Sequence, residues 1–108
     1  MAYYLHQAAY TPEAWKAQVE NPQDVRERVQ ALLERLDGKI VGLWYSFGEY
    51  DIVVIFEFPG DVHAAAAAIT VAAGGADKAA KTTPLLTIEE GLEAMEKASG
   101  SGYQPPGS

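Results

Sequence analysis

GKIVGLWYSFGEYDIVVIFEFP, residues 38–59, is the stretch that decides the fold. Two arms rich in β-branched and aromatic residues flank Gly48-Glu49, a composition suited to a pleated surface. A two-residue loop with glycine first predicts a type II′ turn, because glycine enters positive φ without steric cost. Around that turn Phe47 pairs with Tyr50, Tyr45 with Ile52 and Leu43 with Val54. Partners across the strands share a face, and the period is two. One face is then Val41, Leu43, Tyr45, Phe47, Tyr50, Ile52, Val54 and Phe56, an apolar surface expected under helices. The other is Ile40, Gly42, Trp44, Ser46, Asp51, Val53, Ile55 and Glu57, apolar in its middle and polar at its ends. A slip of one residue at the turn would exchange these neighbours.

The second face carries the functional argument. A solvated sheet face normally alternates apolar with polar residues, yet Trp44, Val53 and Ile55 would stand in water. Exposed apolar patches of this kind mark interaction surfaces. The expectation is a homo-oligomer, a dimer or larger, in which a second copy covers this face.

The 108 residues make one domain, enough to build a single core. There is no cysteine, hence no disulfide framework and no thiolate metal site. Eight Lys and Arg against 15 Asp and Glu give a net charge of −7 with no basic cluster, which disfavours a nucleic-acid partner. MAYYLHQAAY lacks a basic region and a long apolar run, and no segment approaches a membrane span. The expectation is a soluble cytoplasmic protein without a membrane or nucleic-acid partner.

Along the chain, Ala2 to Tyr10 reads as a strand. If Leu5 faces the helices, then Tyr4, His6, Ala8 and Tyr10 share the face of Trp44 and Asp51. Thr11-Pro12-Glu13 is a helix start, with threonine as N-cap and proline at the first helical position. Asn21-Pro22 restarts the helix by the same logic. Val25, Val29, Leu32, Leu33 and Leu36 then form an apolar stripe, with Asp24 and Arg28 spaced to pair outside it and Gly38 at the C′ position. After Pro59-Gly60, Asp61 is the expected N-cap of an alanine-rich helix over 62–73, whose small side chains permit close approach to a sheet. Asp77 to Leu86 reads as an edge strand containing Pro84. Thr87-Ile88-Glu89-Glu90 matches a capping box for a last helix to about Ala98, with Ile88, Leu92 and Met95 on one face. The order β-α-β-β-α-β plus a terminal helix is the ferredoxin-like pattern, α+β with an antiparallel sheet.

Gly48-Glu49-Tyr50-Asp51, the Thr82-Thr83-Pro84-Leu85-Leu86-Thr87 segment, the opening Tyr10-Thr11-Pro12-Glu13 and the tail Gly102-Tyr103-Gln104-Pro105-Pro106 resemble the GYD domain family. The resemblance runs from Tyr3-Tyr4 to Pro106. It implies a single GYD-like domain over residues 1–98; residues 99–108 read by composition as a Gly/Pro-rich tail, with Tyr103 and Pro105-Pro106 as groups for docking on a neighbouring surface. It further implies a small bacterial protein of the dimeric α/β-barrel type. That broad group holds cofactor-free oxygenases, isomerases and haem enzymes, so an activity taken from it would rest on fold analogy alone.

Candidate chemistry centres on His6. With Tyr4, Trp44, Ser46 and Asp51 on its expected face, it would sit in an aromatic pocket for a small flat organic ligand. A histidine beside a carboxylate can act as acid or base near neutral pH, which makes His6 and Asp51 the catalytic candidates. The bland reading is a hydrogen-bonded interface histidine and an aspartate that caps its turn, and it is favoured. Glu57 stands between an edge charge and a second carboxylate near the site. His6 and His63, without cysteine, make a poor metal set, and neither a cofactor motif nor a nucleophile motif is present. Lys81 with Thr82-Thr83 reads as edge protection before anion recognition. The leading expectation is a small-molecule-binding or assembly module. The alternative is a cofactor-independent enzyme, oxygenase- or isomerase-like, acting on a small aromatic or carbonyl compound with His6 as acid or base.

Overall fold

The computed structural model of the chain describes residues 1–107; Ser108, the end of the expected tail, lies outside the described residues. In chain order the elements are β1 (Ala2–Tyr10), α1 (Pro12–Glu20), α2 (Val25–Arg35), β2 (Lys39–Tyr45), β3 (Ile52–Phe58), α3 (Asp61–Ala73), β4 (Asp77–Leu85) and α4 (Ile88–Ser99). The strands form one antiparallel sheet in the order β2-β3-β1-β4, the ferredoxin-like arrangement that the element order predicts.

The helix ends follow their local chemistry. The Thr11 side chain caps α1, and Pro12 opens it. The restart of the second helix falls at Asp24 rather than at Asn21-Pro22, because the Asp24 carboxylate accepts the Arg26 N–H. The same carboxylate pairs with the Arg26 guanidinium at 2.7 Å, not with Arg28. At the far end of α2 the left-handed residue is Asp37, at φ 62°. Its N–H and that of Gly38 reach back to the carbonyls of Glu34 and Leu33, which is a Schellman closure. Glycine is needed at 38 for a different reason from the one its spacing suggests: a Cβ there would run into the ring of fully buried Phe58. In α3 the cap is Gly60 and Asp61 is the first helical residue, which leaves its carboxylate for another partner.

The hairpin keeps the expected pairs Leu43↔Val54 and Tyr45↔Ile52. It differs at both ends. The turn is wider than two residues, since the Ser46 N–H donates to the Asp51 carbonyl and the Ser46 hydroxyl to the Tyr50 carbonyl, each at 2.8 Å. Phe47 therefore lies in the loop, 100 % exposed, instead of on the core face. At the other end a register shift between Ile40 and Gly42 inserts Val41 as an extra residue. Such a bulge reverses the alternation, so Ile40 packs on the core and Val41 is exposed.

The expected face of β1 is also reversed. His6 lies opposite Val54, Tyr4 opposite Phe56 and Ala8 opposite Ile52. Cross-strand partners share a face, so Tyr4, His6, Ala8 and Tyr10 point under the helices. Tyr3, Leu5 and Gln7 take the open face, opposite Glu57, Ile55 and Val53. The core is built from Tyr4, Ala8, Tyr10, Val25, Leu33, Ile52, Val54, Phe56, Phe58, Ala64 and Ala67. Tyr4, Phe56 and Phe58 form its aromatic centre, with Phe56 and Phe58 edge to face at 5.0 Å.

Helix α4 does not join this core. None of its residues is buried, and the chain measures 60 × 33 × 22 Å with a radius of gyration of 17.5 Å. A compact chain of this length would have about 13 Å. The helix nonetheless has the complete capping box of Thr87 and Glu90 that its sequence predicts.

Candidate functional site

Small side chains line a half-open cleft between the layers. Ala8 of β1, Ala14 and Ala17 of α1, and Ala67 and Ala68 of α3 line a cavity of about 560 Å³ between the sheet and the helices. The space is a cleft partly open to solvent, and its volume is that of a small-molecule site. Its walls are completed by Val25, Val29 and Leu33 of α2 and by Ile52, Val54 and Phe56 of β3. The alanine run of α3 is read from sequence as a means of close approach. Ala64 and Ala67 are indeed buried, but around Ala67 and Ala68 the small side chains leave space unfilled.

Polar groups enter the cavity at few places. His6 is 7 % exposed, and its ring stacks on Phe56 at a centroid distance of 5.9 Å. Its Nδ1 meets the Thr82 hydroxyl at 2.9 Å, so Nε2 is the ring nitrogen left for anything entering the cavity. Burial pushes the His6 pKa below its ordinary 6.5, and the imidazole is neutral at pH 7. A neutral ring paired with a hydroxyl can donate or accept one hydrogen bond through Nε2, according to its tautomer.

A second polar group comprises Tyr10, Arg28 and Asp77, all lining the same cavity. Burial raises the pKa of the Tyr10 hydroxyl and that of the Asp77 carboxyl, and the Arg28 guanidinium opposes both shifts. Oδ2 of Asp77 is buried without a hydrogen-bond partner among the described residues, an environment that a neutral carboxyl tolerates better than a carboxylate. Sequence reasoning misses this group because Arg28 reads as an outer-face partner for Asp24. Taking Arg26 as the partner for Asp24 would have freed Arg28 to be considered.

The five residues expected to share a pocket are divided between sites. His6 lines the cavity. Tyr4, on the same side, donates its hydroxyl to Asp61 Oδ1 at 2.6 Å. This hydrogen bond first, then burial and the Asp61 charge, push the phenol pKa up to about 12. Trp44 stands on the open face, 55 % exposed, over Gly42. Ser46 closes the hairpin loop. Asp51 neither orients His6 nor caps its own turn. Its Oδ2 accepts the Tyr10 N–H at 2.8 Å and the Trp15 indole N–H at 3.2 Å, while its own N–H donates to the Ala8 carbonyl. It ties the hairpin mouth to β1 and α1 where the β1 register shifts between Ala9 and Tyr10. Trp15 adds edge contact with Tyr10 at 5.2 Å and lies 6.5 Å from Tyr45.

Of the remaining candidates, Thr82 is the partner of His6, while Lys81 lies opposite Gln7 on the open face of edge strand β4. Glu57 is half-buried between Tyr3 and Lys39, also on the open face. His63 lies 4.0 Å from Asp37 at the surface. Among the described residues no three His, Cys, Asp or Glu side chains converge as a metal site would require, and no helix is long and apolar enough to cross a membrane.

Fold and cavity together define a small ferredoxin-like α+β protein with a ligand-sized space between its layers. The match that names its family is extensive: residues 4–95 fit the GYD domain, and the chain belongs to the GYD domain family. Gly48-Glu49-Tyr50-Asp51, one of the segments that carry the resemblance, is the hairpin turn that Asp51 secures. A comparison with curated proteins finds no match.

Proposed function

We propose that this GYD protein is a homo-oligomeric module that binds a small, largely apolar ligand between its sheet and helices. The observation that carries this reading is the alanine-walled cavity of about 560 Å³. Its volume lies in the range of small-molecule sites, which pair apolar walls with a few polar groups. A flat ring would find Phe56 and the neutral His6 imidazole on one wall. A polar substituent would find Arg28 and Tyr10. The uncovered apolar sheet face supports the oligomeric part of the reading.

The enzyme alternative draws on His6 lining this cavity, where a neutral imidazole can serve as a base. Its partner is the Thr82 hydroxyl and not a carboxylate, which removes the usual means of stabilising an imidazolium. Binding is therefore the reading supported best.

Native mass spectrometry of protein purified from its own host tests both parts. The expected result is an integer multiple, above one, of the 11.6 kDa chain with a retained small molecule that leaves on denaturation. In Ala68→Phe, which fills the cavity, the molecule should be lost while the folded oligomer remains. A bare monomer whose melting no small aromatic or carbonyl compound shifts would refute the reading.

A further inference from the structure

We propose that α4 is an exchanged arm, its Ile88-Leu92-Met95 stripe lying across the open sheet face of a second copy of this chain. The inference rests on the oligomeric part of the function proposed above and adds the element that makes the contact.

Two unpartnered apolar surfaces occur in one chain. The first is the α4 stripe, where Ile88 and Met95 are 79 % and 66 % exposed. The second is the open face of the sheet, where Trp44 is exposed and Val53, Ile55 and Leu5 are half-buried, above strands whose other face is the core. A helix of 12 residues is marginal in water on its own. Its caps fix where it starts, but stability in proteins comes from burying an amphipathic face. In α4 no residue is buried by its own domain, so the stripe needs a surface from elsewhere.

Size and charge favour a second copy as that surface. The 12 residues of α4 span roughly 18 Å, and four strands are roughly 14 Å across from first to last. One α4 is thus long enough to cross the whole sheet. Gly91 lies on the same side of the helix as the stripe and lets backbone and sheet come close. One flank of the helix carries Glu89 and Glu96, with Glu93 behind them 3.9 Å from Lys97, whereas the outer strands of the open face carry Lys81 on β4 and Lys39 on β2, the latter opposite Glu57. Only Leu86 and Thr87 separate the helix from edge strand β4, and the helix buries none of its residues on its own domain. Two chains exchanging arms would form a closed two-fold assembly, each sheet covered by the other's helix.

The absence of cysteine allows a direct test in the full-length chain. Met95→Cys and Ile55→Cys are made as separate chains, mixed, re-equilibrated and treated with a short bifunctional maleimide. The expected product is a cross-linked heterodimer, with much less product from either chain alone. Leu92→Asp combined with Met95→Asp should reduce the mass in light scattering to that of one chain, with far-UV circular dichroism showing a folded domain. An intrachain cross-link in a monomeric Ile55→Cys, Met95→Cys double variant would overturn the proposal, because the arm then folds onto its own sheet. If the arm variant stays oligomeric while Trp44→Asp dissociates, sheets pair directly; the arm is refuted and the oligomer survives. A monomeric wild-type chain would overturn both.

Discussion

Replacing Asp51 by alanine removes the acceptor shared by the Tyr10 N–H and the Trp15 indole. Tyr10 is buried, and its N–H sits where the register against β4 shifts. Leaving a buried donor unpaired costs about 1–3 kcal/mol. The indole bond is longer and more exposed, and contributes about 0.5 kcal/mol. The expected loss is about 2–3 kcal/mol in urea unfolding, or a fall in Tm of about 10–20 °C for a domain of this size. Asp51→Asn keeps one carbonyl oxygen for the Tyr10 N–H and should lose about 1 kcal/mol. The His6 titration, followed by NMR, should be the same in both variants as in the wild type. If Asp51→Ala leaves stability within about 0.5 kcal/mol and moves the His6 titration instead, the aspartate serves the histidine and the structural assignment is wrong.

Tyr4→Phe keeps the ring against Phe56 and Phe58 but loses the hydrogen bond to Asp61, for an expected cost of about 1–2 kcal/mol by urea unfolding. Because the fold raises this phenol from 10.0 to about 12, its stabilisation is complete below pH 10 and is lost as pH rises through about 12. An alkaline stability profile should fall for the wild type and be flatter for Tyr4→Phe. Gly38→Ala places a methyl group against the buried Phe58 ring and should cost about 1–3 kcal/mol. Asp37→Gly, one residue earlier, relieves a left-handed aspartate and should be neutral or stabilising by up to about 1 kcal/mol; thermal melts of the two variants check the contrast.

The order of elements was readable because caps and breakers are local. Thr11-Pro12 and the Thr87–Glu90 box each act within one turn of chain. The central hairpin register was also readable, since Leu43, Tyr45, Ile52 and Val54 alternate on both arms. Which face β1 buries was not. Tyr4, Ala8 and Tyr10 on one side compete with Tyr3 and Leu5 on the other, and alternation alone cannot choose between two apolar faces. The bulge at Val41 leaves no compositional trace, yet it exchanges the exposures of Ile40 and Val41. The candidate site suffered from the parity of β1, which carried His6 to the wrong side of the sheet. Arg28 was missed for a different reason: a long side chain near a helix start has several acceptors within reach, and only the packed chain selects among them.

The alanine walls of the cavity have a consequence for divergence within the family. Where a binding site is lined by large side chains, changing its shape means carving or overpacking a filled interior, and both are destabilising. Here the half-buried walls at Ala14 and Ala68 have room to grow, and an added methyl group that enters the cleft gains dispersion contacts. Related chains could therefore acquire narrower or differently shaped preferences through single substitutions, with the sheet, the caps and the hairpin anchor left untouched.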